Sequence, residues 1–389
     1  MTGAHRPLGV GIVGMGAAGC AFVPALHRHP AFTWVAFAET DPEVRAEWAA
    51  DASARDVVAC DSLQALLQLN AVDVVLIATP TPLHAAQTRQ ACAAGRHVIV
   101  EKPMATSLAE GLAMVQAAER GGVRLLVGHS HSFDLPIQRM RQLIASGTLG
   151  ALRMLHTWCY TDWMQRPRRP DERDASKGGG VVMRQGAHQF DLLRLLAGGQ
   201  ARRVRAQTFA GDAQRPGIGA HSSFIEFDGG VTATAVYSGY GGLASSALCF
   251  GISEWGVAGA APVQSPSGSL SASQAKRQRA RHAIPAQAPH PPFFGLTVVS
   301  CERGDIRQSP QGLRVETPDG AWEEALPCDR SPRELVLDEL AAVLHQGAAA
   351  VHDGRWGLAT LELCLAVMAS ARSGRVVPLR RQVALPAGL

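Results

Sequence analysis

The sequence predicts an α/β protein of two domains, the first built on a parallel sheet and the second, an α+β domain, on a largely antiparallel open sheet. Three observations carry this. An apolar run, Leu8 to Val13, breaks at a glycine-rich turn and gives way to a helix-like segment. Strand and helix patterns then alternate as far as Val127, the rhythm of a parallel sheet covered on both faces. Beyond it, apolar runs are joined by short glycine turns such as Asp228-Gly229-Gly230, the pattern of antiparallel pairing. At 389 residues the chain exceeds what one core usually serves, so the expected division is 1–128 and 129–389.

In the first domain, Cys20 to Leu26 reads as the helix after the glycine turn, and Thr33 to Ala38 as the second strand. Asp41-Pro42-Glu43 supplies an N-cap with proline at the first helical position. Further strands are expected at Val57 to Ala59, Val72 to Ala78, His97 to Val100 and Arg124 to Val127. Helices fall near Leu63, at Ala85 to Ala94 and at Leu108 to Arg120, the last opened by a capping box, Ser107-Leu108-Ala109-Glu110.

In the second domain, a helix at Ile137 to Ala145 precedes strands at Leu152 to Tyr160, Val204 to Phe209, Ser222 to Phe227, Val231 to Ser238 and Ala247 to Ile252. A helix from Val182 to Ala197 stops at Gly198-Gly199, and two more are expected at Pro332 to His345 and Trp356 to Ser370. The stretch 261–292, rich in Ser, Pro, Ala and Gln, reads as a mobile loop.

Composition excludes several partners. The net charge is +4 and the basic residues are scattered, so no nucleic-acid partner is expected. No run approaches the ~18 apolar residues of a membrane span, and Met1 to Pro7 lacks a signal-peptide core, so no membrane partner and a cytoplasmic location are expected. Eight cysteines without a C-x-x-C pair argue against a zinc site or a disulfide framework, and no metal is expected. Of 37 basic residues only Lys102, Lys177 and Lys276 are lysines. A lysine kept in so arginine-rich a chain suggests a role that needs proton exchange, with chance as the alternative.

The turn Gly14-Met15-Gly16-Ala17-Ala18-Gly19 sits between strand and helix, where Gly14 permits the tight turn, Gly16 admits a pyrophosphate and Gly19 allows helix–strand packing. Glu39 follows 20 residues after Gly19, at the end of the second strand. There its carboxylate would accept ribose hydroxyls and repel a 2′-phosphate, and Thr40 adds no phosphate-binding charge. These features predict a Rossmann domain that binds NAD in preference to NADP; the alternative is that Glu39 is a solvated strand end.

Together with Ala78-Thr79-Pro80-Thr81-Pro82-Leu83-His84 and Glu101-Lys102-Pro103, the glycine turn resembles the Gfo/Idh/MocA family of oxidoreductases, across essentially the whole chain. The resemblance implies cofactor contacts from Thr79, Pro80, His84, Glu101 and Lys102, with Lys102 also on the substrate hydroxyl, and a cis bond before Pro103. An ammonium there would polarise the reacting C–O bond. The second family signature lies at Gly178 to Asp191, where His188 occupies the position of the family's catalytic histidine, implying a general base. Many relatives carry aspartate where this chain has Arg184. Residues at i and i+4 share a helix face, so Arg184 and His188 are expected to face one cavity, with Asp191 pairing with either. A cation in place of an anion implies a negatively charged small-molecule substrate, which disfavours neutral sugars and inositols.

Arg166, Arg168 and Arg169 follow the aromatic run Trp158, Tyr160 and Trp163. They read either as a solvated basic loop or as further carboxylate ligands, with Trp163 packing a flat ring. With His129 and His131, which either line or fill the cavity, and with the Ser300 to Arg307 segment, whose role is left open, they resemble the branch of the family that includes phthalate 4,5-cis-dihydrodiol dehydrogenases. That resemblance implies hydride transfer to NAD from a ring diol bearing two carboxylates, giving the catechol. Family likeness also implies a homodimer or homotetramer. The alternatives are a sugar-acid or inositol-like polyol dehydrogenase and, in another class, a non-catalytic NAD(P)-binding regulator, against which the joint presence of Lys102 and His188 argues.

Overall fold

A computed structural model describes residues 6–259, 274 and 288–386 of the protein. The chain forms two compact units, Met1–Gly128 with Arg333–Leu358, and His129–Pro332 with Ala359–Leu389. The return of 333–358 to the first unit has no counterpart in the sequence division. It is fastened by a two-bond ion pair between Arg28 and Glu334, both contacts at 3.0 Å, and by His29 Nε2 against Asp338 Oδ1 at 3.1 Å.

The first unit holds six parallel strands in the order β3-β2-β1-β4-β5-β6. They are β1 (Leu8–Val13), β2 (Phe32–Ala38), β3 (Val58–Cys60), β4 (Val74–Ile77), β5 (His97–Val100) and β6 (Leu125–Val127). β4 is buried at every position, as a strand covered on both faces must be. The first helix differs from expectation, for it breaks into Ala17–Cys20 and Val23–Arg28. Pro24, in the first turn of the second piece, has no N–H to return to Cys20, so one continuous helix cannot form. The helix expected at Ala85 to Ala94 begins earlier, at Thr81–Ala93, because Pro82 suits a first turn. Half of the capping box forms: Ser107 Oγ accepts the Glu110 N–H at 3.3 Å, but the Glu110 carboxylate reaches past Ser107 to the Thr106 N–H at 3.0 Å and its hydroxyl at 2.6 Å.

The second unit is one mixed sheet of nine strands in the order β14-β13-β12-β11-β7-β10-β9-β8-β15. They are β7 (Leu152–Tyr160), β8 (Ala201–Phe209), β9 (Ala220–Phe227), β10 (Thr232–Ser238), β11 (Leu296–Cys301), β12 (Gly304–Ser309), β13 (Gly312–Thr317), β14 (Gly320–Ala325) and β15 (Val377–Pro378). Among the described residues β7 and β10 are the one parallel pair. The meander β11 to β14 was not foreseen from sequence: its polar strands carry Arg307, Arg314, Glu316 and Glu323, so apolar content is low. Its signal was the turns, two residues each, at Glu302-Arg303, Pro310-Gln311 and Pro318-Asp319. The Ser300 to Arg307 segment is therefore the β11–β12 hairpin, with Ser300 opposite Asp305.

The strand expected at Ala247 to Ile252 is instead a short helix, Ser245–Leu248, after which Phe250 (φ 56°) and Gly251 (φ 75°) curl the chain through left-handed backbone that no strand can contain. The expected loop at 261–292 lies outside the described residues, apart from 274 and 288–292. No helix among the described residues is long and apolar enough to cross a membrane.

Candidate active site

In the first unit the expected cofactor residues gather at the carboxyl ends of neighbouring strands. Gly14 adopts φ 91°, and a Cβ there would press on the Ala78 carbonyl and the Thr79 methyl. A Cβ at Gly19 would run into the Gly14 carbonyl oxygen, whereas one at Gly16 would meet nothing. The turn is thus closed behind and open in front, with Ala17 and Ala18 opening the helical turn that follows. Glu39, one residue beyond β2, turns its carboxylate onto this loop, with Oε2 accepting the Met15 N–H at 2.9 Å and Oε1 the Asp41 N–H at 3.1 Å. Thr40 is exposed. Sequence reading missed Arg45, whose guanidinium caps the Glu39 carbonyl at 2.6 Å. Its only advance signal was its spacing, six residues past Glu39 in the first turn of a proline-started helix.

The loops after β4 and β5 are tied together by one side chain. His84, buried in the helix that follows Pro80, places Nε2 2.9 Å from the Thr79 carbonyl and Nδ1 3.0 Å from the Pro103 carbonyl. Both ring nitrogens thus face main-chain carbonyls of the first unit. The Lys102–Pro103 bond is cis. Lys102 is half-buried, and its N–H donates to Glu101 Oε2 at 3.2 Å.

In the second unit the expected histidines do come together. The helix Ala187–Ala197 is buried from Ala187 to Leu196 and packs on β7 and β10, so its polar residues His188 and Asp191 stand inside the fold. His188 lies edge-on to His131, ring centroids 4.6 Å apart, and His129 Nδ1 is 4.0 Å from Asp191 Oδ2. Asp191 therefore faces His129. His131 Nδ1 is 3.0 Å from Asp134 Oδ2, and Phe294 stacks on the His131 ring at 4.3 Å while meeting His188 edge-on at 5.1 Å. The Asp134 contact was legible as an i, i+3 spacing; Phe294 comes from far along the chain and gave no local signal.

Arg184 lies half-buried in a turn with i→i+5 hydrogen bonds, Val182–Gly186, inserted just before the helix. The simple i, i+4 helical face drawn from sequence therefore does not apply there. Gly186 at its end is required by packing, because a Cβ would stand 3.0 Å from the Phe190 ring and 3.3 Å from His221 Nε2. His221 is itself buried, and that burial pushes its imidazole down to about 3, so it is neutral.

The three loop arginines each have carboxylate partners within the unit. Arg166 Nε bonds Asp162 at 2.6 Å and faces Glu254 at 3.8 Å, Arg169 pairs with Asp171 at 3.1 Å, and Arg168 faces Glu172 at 3.6 Å. Arg168 also covers the Trp163 ring, 4.3 Å from its centroid. Trp163 is 1% exposed and packs in the core with Cys159, Met164, Val181, Tyr237 and Phe294, so it fills the fold instead of offering a face to a ligand. No group of metal-ligating side chains occurs among the described residues.

Residues 8–129 match the family model described as "Oxidoreductase family, NAD-binding Rossmann fold", and residues 137–243 match the GFO/IDH/MocA C-terminal domain. One relative, the 1-carboxy-3-chloro-3,4-dihydroxycyclohexa-1,5-diene dehydrogenase of Comamonas testosteroni, is 36% identical over 373 residues, covering 92% of this chain and 94% of its own. The chain belongs to the Gfo/Idh/MocA family. As a member it is an NAD-binding oxidoreductase, and its two sheets are the two domains of that family. A solved structure from Bordetella bronchiseptica RB50, provisionally classed as a dehydrogenase, has a TM-score of 0.87 at 34% identity, over 96% of this chain and 100% of that one. The WlbA dehydrogenase of Bordetella pertussis, solved with NADH and UDP-GlcNAcA, shares the fold at a TM-score of 0.71 and 24% identity, over 96% of this chain and 99% of its own.

Proposed function

We propose that this Gfo/Idh/MocA enzyme oxidises a carboxylate-bearing ring diol, passing hydride to NAD. The observation that carries the reading is the buried cluster of His188, His131 and His129 with Asp134 and Asp191, a proton-handling centre in a chain that also keeps the Glu101-Lys102-Pro103 turn. In this reading Lys102 polarises the reacting oxygen and His188 takes the hydroxyl proton. When bound, the nicotinamide accepts the hydride. Arg184 holds the substrate carboxylate by charge-assisted hydrogen bonds.

The Comamonas testosteroni relative is named for a ring diol with a single carboxyl group. Local carboxylates already hold Arg166, Arg168 and Arg169. Both facts favour one substrate carboxylate over two, and place a monocarboxylated cyclohexadiene diol ahead of phthalate dihydrodiol. Glu39 beside the glycine turn favours NAD, while Arg45 is a feature that would serve a 2′-phosphate.

The test is reduced-cofactor formation with NAD and with NADP, on mono- and dicarboxylated cyclohexadiene diols, their neutral counterparts, inositol and sugar acids. The expected result is turnover of the monocarboxylated diol with NAD, and an Arg184→Gln loss of about ten- to a hundredfold in kcat/KM on that substrate, the worth of one charged hydrogen bond. Faster turnover of a neutral polyol would overturn the substrate class. Cofactor binding without turnover of any diol or polyol would favour a regulator.

A further inference from the structure

The role given to His188 leaves its neighbour unexplained. The short turn His131–Phe133 brings Asp134 back onto the His131 ring, with Nδ1 3.0 Å from Oδ2. A carboxylate at Nδ1 fixes the tautomer, leaves the lone pair on Nε2 and stabilises the imidazolium once Nε2 gains a proton. Asp134 is 2% exposed, so its charge acts in a medium that screens it weakly. Phe294 lies flat on the imidazole, 26° between planes, and holds its tilt. His188 lies beside the His131 ring, 77° between planes with centroids 4.6 Å apart, and also packs edge-on against Phe294 at 5.1 Å. The remaining titratable groups of the cluster are His129 and Asp191, which face each other. A histidine that only filled space would need no carboxyl partner, and burying that polar group costs desolvation.

We propose that His131, oriented by Asp134, is a proton relay that takes from His188 the proton His188 removes from the substrate. The steps balance. The carbinol C–H breaks and its electron pair leaves as hydride to NAD, while the O–H breaks and a carbonyl forms. The hydroxyl proton passes to His188, then to His131 Nε2, then to water, so one alcohol and one NAD give one carbonyl, one NADH and one proton. In this relay His131 acts through His188, which it returns to its basic form. The inference rests on the proposed reading of His188 as the base.

Two measurements on the full chain test it. In His131→Gln, His131→Phe and Asp134→Asn, kcat on the diol turned over by the unaltered enzyme is expected to fall about ten- to a hundredfold, up to the lower end for groups that exchange protons with substrate directly, with KM within about twofold. Added imidazole buffer should restore His131→Gln but not His188→Gln, a response that lost packing would not produce. Full activity in His131→Phe, which keeps the ring stack and loses the proton, overturns the relay. The second measurement needs no substrate: ring-nitrogen NMR with NAD present is expected to show His131 protonated at Nδ1 and titrating at Nε2, with His188→Gln moving that titration. A His131 that does not titrate, or that ignores His188→Gln, refutes the relay whichever substrate is used. Absence of turnover on every diol refutes the proposed function instead, and the NMR result still decides the relay.

Discussion

The two units build their sites in opposite ways. In the first, the expected cofactor residues each stand one to seven residues beyond a strand, at 14–19 after β1, 39–40 after β2, 79–84 after β4 and 101–102 after β5. Main chain supplies most of the surface there: an open glycine loop, a cis peptide, and carbonyls gathered by His84. In the second, His129, His131, Asp134, His188, Asp191 and Phe294 meet through side chains packed into the fold, around a helix buried from Ala187 to Leu196. A parallel sheet makes a site at its strand ends as a consequence of topology, whereas a site inside a packed layer must be assembled contact by contact. It follows that substitutions in the first unit should alter binding with little change in stability, while those in the second should alter both.

The largest expected effect tests whether the two sites serve one reaction. Lys102→Met and His188→Gln should each lower kcat by about two to four orders of magnitude, the range for positioned acid–base groups. Groups acting on the same carbon are non-additive, so the double variant should lose little beyond the worse single one. Fully multiplied losses would mean that the ammonium and the imidazole act independently, and would break the proposed chemistry. His188→Gln should also shift the unfolding midpoint; Lys102→Met should not.

The same contrast explains what was legible in the sequence. Strand ends, the glycine turn and Glu39 are contiguous signals, so the first sheet and its loops were readable, with the larger boundary errors where Pro24 and Pro82 moved helices. His188 and His131 were readable as residue types in a family pattern, but their contact was not, because a helix turn and the loop after β6 bring them together. The π turn at Val182–Gly186 was invisible, since periodicity presumes regular helix. The loop arginines read as a positive cluster although Asp162, Asp171 and Glu172 stand within four residues of them, because spacing in an irregular loop does not say which side chains meet; Glu254 alone comes from far along the chain. Glu302 and Glu324 likewise anchor the meander to Arg153 and Arg139 from a distance no local pattern records.

A smaller effect is expected at the first unit's ribose end. Glu39→Ala removes the acceptor on the Met15 N–H and leaves the Arg45 guanidinium on the Glu39 and Thr40 carbonyls. KM for NAD should rise by about tenfold, at the low end for a charged hydrogen bond, while KM for NADP falls, because the carboxylate that repels a 2′-phosphate is gone. Steady-state kinetics with both cofactors reads this directly. An unchanged ratio of NAD to NADP efficiency would remove Glu39 from the cofactor site, and an unfolding midpoint more than a few degrees lower would blur the distinction between units.

The smallest effect isolates the second unit's dependence on burial. His221 is buried, and desolvation holds its imidazole at about 3 against an ordinary value of 6.5. Between those two values the unfolded chain binds a proton that the folded chain refuses. Stability from this residue is therefore complete above pH 6.5 and is lost as pH falls toward 3. One such group contributes a slope of at most about 1.4 kcal/mol per pH unit. His221→Phe keeps an aromatic ring between Phe190 and Tyr237 and cannot be protonated. Urea unfolding at several pH values from 4 to 6 should give a flatter dependence for the variant than for the unaltered protein. Comparing slopes removes the pH-independent cost of losing the Ser223 contact at 3.1 Å. Parallel slopes would mean that water reaches the imidazole, and that the layer behind Gly186 is less tightly closed than its packing indicates.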